Sequence, residues 1–171
     1  MKYWIDTEFI EDGKTIDLIS IGIVSEDGRK YYAISTEFDP YKASVWVIDN
    51  VISKLPNMWN GQPLLPECKD RKTIAQEILD FCDTSLYGKP EFWAYYADYD
   101  WVVFCQLFGT MMDLPKGFPM YCQDIKQECD RLGNPPLPQQ SKGEHNALED
   151  ARWNKKAWEF LQIFERVRGK L

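Results

Sequence analysis

The sequence is short of several things, and each shortage removes a class of function. It has a single histidine, no Cys-x-x-Cys pair, no internal repeat, no low-complexity stretch and no apolar run near the length of a membrane span. The five cysteines, Cys68, Cys82, Cys105, Cys122 and Cys129, are odd in number and widely spaced, which argues against a disulfide framework and reads as reduced, mostly buried thiols of a cytoplasmic protein. Asp6 and Glu8 fall where a signal peptide needs unbroken apolar residues, so the expectation is a soluble protein with no membrane partner. Basic charge is also scarce: 20 Lys and Arg against 27 Asp and Glu give a net charge of −7. That argues against a general binder of nucleic acid, unless clustered acids hold divalent cations that reverse the local sign.

Aromatic residues are plentiful, with seven Trp, nine Tyr and nine Phe in 171 residues, a load that suits a compact α/β core with aromatics to spare for a binding surface. The length predicts one domain over residues 1–171. Strands are predicted at 2–9, 17–25 and 30–37, the last two joined by a tight turn in which Asp27-Gly28 supplies positive backbone angles. Residues 38–71 are irregular, with a weak helical stretch near 47–55. Beyond them, helices are expected at 73–86, 99–108, 124–132 and 146–166, with strands at 91–96 and 119–123 between them. Three antiparallel strands followed by alternating helices and strands predict a mixed five-stranded sheet flanked by helices.

Within that order, four carboxylates and the histidine stand out. Asp6 and Glu8 alternate with Ile5, Thr7 and Phe9 in an extended strand, so both project from one face and repel. The same pair fits an exposed edge strand with a polar face. In Tyr95-Tyr96-Ala97-Asp98-Tyr99-Asp100, Asp98 is placed as a helix N-cap, while Asp100 lies over Val103, Phe104 and Leu107, where an unpaired charge is costly. A metal or a capping role in the first turn each accounts for Asp100. Asp150 shares a helix face with Ala147, Asn154, Ala157 and Leu161. Asn146 with Glu149 reads as the cap of this last helix and leaves His145 on the preceding loop; Ser141 with Glu144 is the competing cap.

Asp6-x-Glu8, an Asp at a strand-to-helix junction, and His145 five residues before Asp150 together resemble the three motifs of the DEDDh 3′-to-5′ exonucleases, in the right order and over nearly the whole chain. The closest resemblance is to the small bacterial single-domain exoribonucleases related to oligoribonuclease and ribonuclease T. It implies an RNase H-like fold, two divalent cations, Mg²⁺ or Mn²⁺, held by Asp6, Glu8, Asp100 and Asp150, and His145 as general base. It further implies a homodimer and a single-stranded RNA 3′ end as substrate. Phe9 and Thr7 are candidate substrate contacts, Phe9 by stacking on a base, although core packing also accounts for it.

Two departures from the family pattern bear on this. Tyr95-Tyr96-Ala97-Asp98 fills the place of the His-Asn pair that often precedes the second-motif Asp, and Phe9-Ile10-Glu11 replaces the Thr-Thr-Gly that commonly follows the first. DNA in place of RNA is the alternative substrate, since one backbone group suffices to read a 2′-hydroxyl. A noncatalytic binding module on the same fold, or an endonuclease with clustered acids, are the readings from further away. Lys69, Arg71, Lys72, Lys142, Arg152, Lys155 and Lys156 are the basic residues able to hold a phosphate backbone, or else solvated charge on helix surfaces.

Overall fold

The computed structural model describes residues 1–56, 65–140 and 143–169. Strands β1 (Lys2–Glu11), β2 (Ile16–Ser25) and β3 (Lys30–Ser35) form the antiparallel meander. A short helix α1 (Val45–Asn50) and a 3-10 turn at Ile52–Lys54 come next, followed by β4 (Cys68–Lys69), α2 (Arg71–Phe81), α3 (Thr84–Tyr87) and β5 (Glu91–Ala94). Helix α4 (Ala97–Gln106), β6 (Gln123–Asp124), α5 (Ile125–Arg131) and the 22-residue α6 (Ala147–Arg168) complete the chain. No helix among the described residues is long and apolar enough to cross a membrane.

The sheet has six strands in the order β4-β3-β2-β1-β5-β6, one more than the five expected. The extra strand is β4, two residues parallel to β3 at the end of the irregular stretch, too short to leave an alternation in sequence. Strands β5 and β6 add in parallel beside β1, and the whole is a mixed sheet between helices, consistent with an RNase H-like fold.

Alternation along β1 divides the core. Tyr3 and Ile5 join Ile21, Ile23 and Phe92 under α2 and α4, while Trp4 packs on the other face with Ile125, Cys129, Ala157 and Leu161 of α5 and α6. At the far end of β1 the register slips by one residue between Glu8 and Phe9, so that Ile19 of β2 is skipped. The bulge turns Ile10 and Ile19 into a third cluster with Ile34, Phe38 and Val51, adjoining α1.

Several boundaries move for local reasons. In the turn after β2 only Gly28 takes a positive angle, φ 90°, and Asp27 instead accepts the Ser25 hydroxyl. Asp70 caps α2 by accepting from Thr73 N at 2.7 Å, earlier than the expected start. Asp83 accepts from Ser85 N at 2.8 Å and opens α3, which divides the predicted 73–86 helix in two. The expected strand at 119–123 reduces to Gln123–Asp124, Pro119 having no N–H for a ladder. Asp98 does not cap α4. That position belongs to Tyr96, and the Ala97 N–H is taken at 2.9 Å by Asp124 Oδ2 from the neighbouring strand end, a cap supplied in space rather than in sequence.

Candidate active site

Pairing between β1 and β5 covers only Lys2 to Trp4, so the rest of β1 has an open edge beside the start of α4. Asp100 reaches that edge. Its Oδ1 accepts from Thr7 N at 2.7 Å and from Thr7 Oγ1 at 2.6 Å, and the carboxylate is 6% exposed. The buried Asp100 thus has partners after all, on the one β1 residue that faces α4 between two that face α6.

Asp6 and Glu8 project to the α6 side. Their partners across the β1–β2 ladder are Gly22 and Ser20. A Cβ at Gly22 would lie 2.2 Å from the carbonyl oxygen of Ala147, so the first turn of α6 lies directly on the β2 backbone. Asn154, one turn past Asp150 and 1% exposed, donates from Nδ2 to Ile5 O at 2.8 Å and ties the helix to β1 next to Asp6. Asn146 caps α6, accepting from Glu149 N at 3.2 Å, which leaves His145 on the loop as the first of the two expected caps requires. Ser141 of the competing cap lies outside the described residues.

The result is a cluster in which one carboxylate oxygen from each of Asp6, Glu8 and Asp150 lies within 4.8 Å of the others. Asp100 adjoins it, and its charge acts on both Asp6 and Glu8. Among the described residues none of these four acids forms an ion pair with Lys or Arg. Burial therefore raises every one of them. Glu8 is pushed up to about 8 by burial, with the charges of Asp150 and Asp100 adding to it. Asp6 is raised well above the ordinary carboxylate range by burial and then by Asp100, Asp150 and Glu8. Burial takes Asp100 to about 7 against the opposing hydrogen bonds from Thr7, and raises Asp150 against one from Gln140. Converging oxygens that no described Lys or Arg pairs fit a hard divalent cation, and do not fit zinc's preference for nitrogen and sulfur.

The family model of the 3′-5′ exoribonuclease Rv2179c-like domain matches residues 1–162 of this chain. The chain belongs to that family. Two curated relatives, the 3′-5′ exoribonucleases Rv2179c of Mycobacterium tuberculosis strain H37Rv and MT2234.1 of strain CDC 1551, are each 43% identical over 152 residues, covering 89% of this chain and 88% of theirs.

In this Rv2179c-like domain the remaining predicted residues take varied places. His145 has φ 65° and sets its imidazole edge-to-face on Trp46, with ring centroids 4.8 Å apart. Thr7 is 5% exposed and spends its hydroxyl on Asp100. Phe9, half-buried past the bulge, stacks on Tyr99 at 5.8 Å while also touching the core. Asp98 is exposed, away from the buried Asp100. Of the basic residues, Lys69 pairs with Glu77, Arg71 with Asp17 and Arg152 with Glu149, while Lys155 donates to the carbonyls of Ser25 and Glu26. Lys142 lies outside the described residues.

Sequence reasoning passed over Gly22, Asn154, Lys54 and Trp46 as parts of the site. A lone glycine inside Ile-Ser-Ile-Gly-Ile-Val is a sign of close backbone approach, and a polar Asn on the apolar stripe of α6 asks for a buried partner. For Lys54, whose charge acts on Glu8, and for Trp46, nothing local in the irregular stretch gives a comparable sign.

Proposed function

We propose that the chain is one domain acting in the cytoplasm as a metal-dependent 3′-to-5′ exoribonuclease of the DEDDh type, removing nucleoside 5′-monophosphates from single-stranded RNA ends. The observation that carries this is the convergence of Asp6, Glu8 and Asp150 within 4.8 Å, with no ion pair to Lys or Arg among the described residues. These three with Asp100 would hold two Mg²⁺ or Mn²⁺ ions, which when bound supply a nucleophile at neutral pH and stabilise the charge on the departing oxygen.

The chain's own residues do the rest. Asp150, in the first turn of α6, and Asp6 and Glu8, side by side on β1, set the donor atoms in advance of substrate. Thr7 holds Asp100 in place through two hydrogen bonds, the kind of outer contact that fixes a ligand's orientation. His145 takes the proton of the attacking water as the new P–O bond forms and the bond to the ribose 3′-oxygen breaks; the freed 3′-hydroxyl acquires a proton and the terminal nucleotide leaves as its 5′-monophosphate. Phe9, on its stack with Tyr99, offers a face to a terminal base, worth ~1–3 kcal/mol if taken up.

The test is hydrolysis of a short 3′-labelled RNA with Mg²⁺ or Mn²⁺, for the wild type and for Asp6→Ala, Asp150→Asn and His145→Ala. Each variant should lose nearly all activity, with His145→Ala still binding metal. Full activity in a chelator overturns the mechanism. Matched DNA digested faster than RNA replaces the substrate, and cleavage of a circular RNA replaces the exonucleolytic mode. Sedimentation of the same preparation decides the homodimer that the resemblance implies.

A further inference from the structure

The imidazole that this reading needs as a base is held from outside the acidic cluster. His145 sits on the loop before α6 with φ 65°, a left-handed conformation that a side chain other than glycine's rarely takes and that persists only where its surroundings impose it. Two residues of the stretch 45–54 meet this loop. Trp46 packs against the His145 ring at 4.8 Å and 81°, an edge-to-face contact, and Lys54 donates from Nζ to the carbonyl of the preceding Glu144 at 3.1 Å. Trp46 is 54% exposed, at the start of a helix with no fully buried residue, so core packing does not account for its size. Its own carbonyl is fixed by Asn50 Nδ2 at 2.9 Å. Between the two segments lies an open cleft of about 720 Å³, lined by Asn50, Lys54, Gly143, His145, Asn146 and Glu149.

We infer that Trp46 is a positioning residue that acts through His145: its indole selects the orientation of the imidazole, and the stretch 45–54 thereby serves as a brace for the base rather than as a mere cover. The inference rests on His145 acting as general base. A ring on an exposed loop samples several rotamers, and a proton acceptor displaced by about 1 Å loses up to ~100-fold in rate. An aromatic wall limits the ring to one of them. Asp100 and Asp150 take their side-chain hydrogen bonds from Thr7 and Gln140, not from Trp46, so the effect of Trp46 should be confined to the base.

Because His145 is the chain's only histidine, its ring gives one pair of imidazole cross-peaks in a carbon-proton correlation spectrum. In the full-length protein, Trp46→Ala should shift those peaks by removing the indole ring current, and lower kcat about tenfold or more with KM changed by less than about twofold. Trp46→Phe should restore most of the rate. In the His145→Ala background, Trp46→Ala should add nothing. Unmoved cross-peaks overturn the contact, and an equal loss from Trp46→Ala with and without His145 overturns the route through the base. If His145→Ala alone keeps full activity, it is the general-base reading that has failed, whereas the cross-peaks still report on the contact.

Discussion

The floor of the site and its roof are built on different principles. The floor consists of Asp6, Glu8, Asp100 and Asp150, each on a regular element whose place is fixed by backbone-level contact: Gly22 against Ala147, Asn154 on the Ile5 carbonyl, Thr7 on Asp100. The roof consists of His145, Trp46 and Lys54, on a loop, a short helix and the 3-10 turn after it, in a part of the molecule that is largely exposed. A cluster of like charges must be assembled against its own repulsion, so it needs the rigidity of the core. A single proton acceptor, the role proposed for His145, does not, and a loop held by side chains is enough.

The sharpest way to break the floor is at Gly22. Gly22→Ala puts a methyl group 2.2 Å from the Ala147 carbonyl, a backbone atom that cannot turn aside. Either α6 lifts or the strand moves, at a cost of about 3 kcal/mol, and Asp150 and Asn154 move with the helix. Urea unfolding measures the loss. A variant with wild-type stability would mean that the close approach of helix and sheet is not what sets the floor.

The floor is also the part that is legible in the sequence, for a physical reason. Alternation on a strand and the 3.6-residue period of a helix place side chains on faces, so residue spacing alone assigns Asp6 and Glu8 to one face of a strand and Asp150 to the inward face of a helix. What periodicity does not carry is the partner across space. Thr7, a candidate substrate contact from its neighbours in sequence, has its hydroxyl turned to Asp100 because β5 stops short and leaves that edge of β1 open. Asp124, 27 residues beyond Ala97, supplies the cap that Asp98 offers by position. The roof is legible only at His145. Trp46 and Lys54 come from the irregular stretch, and nothing in their local pattern indicates which loop they will meet.

A second, smaller effect separates the floor from the rest of the molecule by pH. Glu8 is held at about 8, Asp100 at about 7, and Asp6 and Asp150 are raised as well, so the folded protein keeps protons that the unfolded chain releases near pH 4. In the native state more protons are bound, and stability in a chelator therefore falls as pH rises from about 4 through about 8, where Glu8 gives up its proton. Depressed acids such as Asp27, at about 2, contribute below this window. Relaxation and water entry reduce the full penalty, leaving about 2 kcal/mol, or a melting temperature ~4–8 °C lower at pH 8 than at pH 5.5. Mn²⁺ should recover the difference at pH 8, taking the place of the missing protons. A melting temperature that rises over this range without metal would show that the cluster is not desolvated.

The smallest effect on stability is expected in the roof, at Lys54. Its ammonium group is exposed and gives one hydrogen bond to a carbonyl that water can also satisfy, so Lys54→Ala should change the unfolding free energy by less than about 0.5 kcal/mol. The rate should respond more. Lys54 anchors the peptide next to His145 and is the cation whose charge acts on Glu8, so its removal should lower kcat several-fold while leaving the melting temperature alone. That separation is what a side-chain-held roof over a backbone-held floor requires. Loss of stability without loss of rate at Lys54 would reverse the assignment, making the stretch 45–54 part of the scaffold and leaving the His145 loop to hold itself.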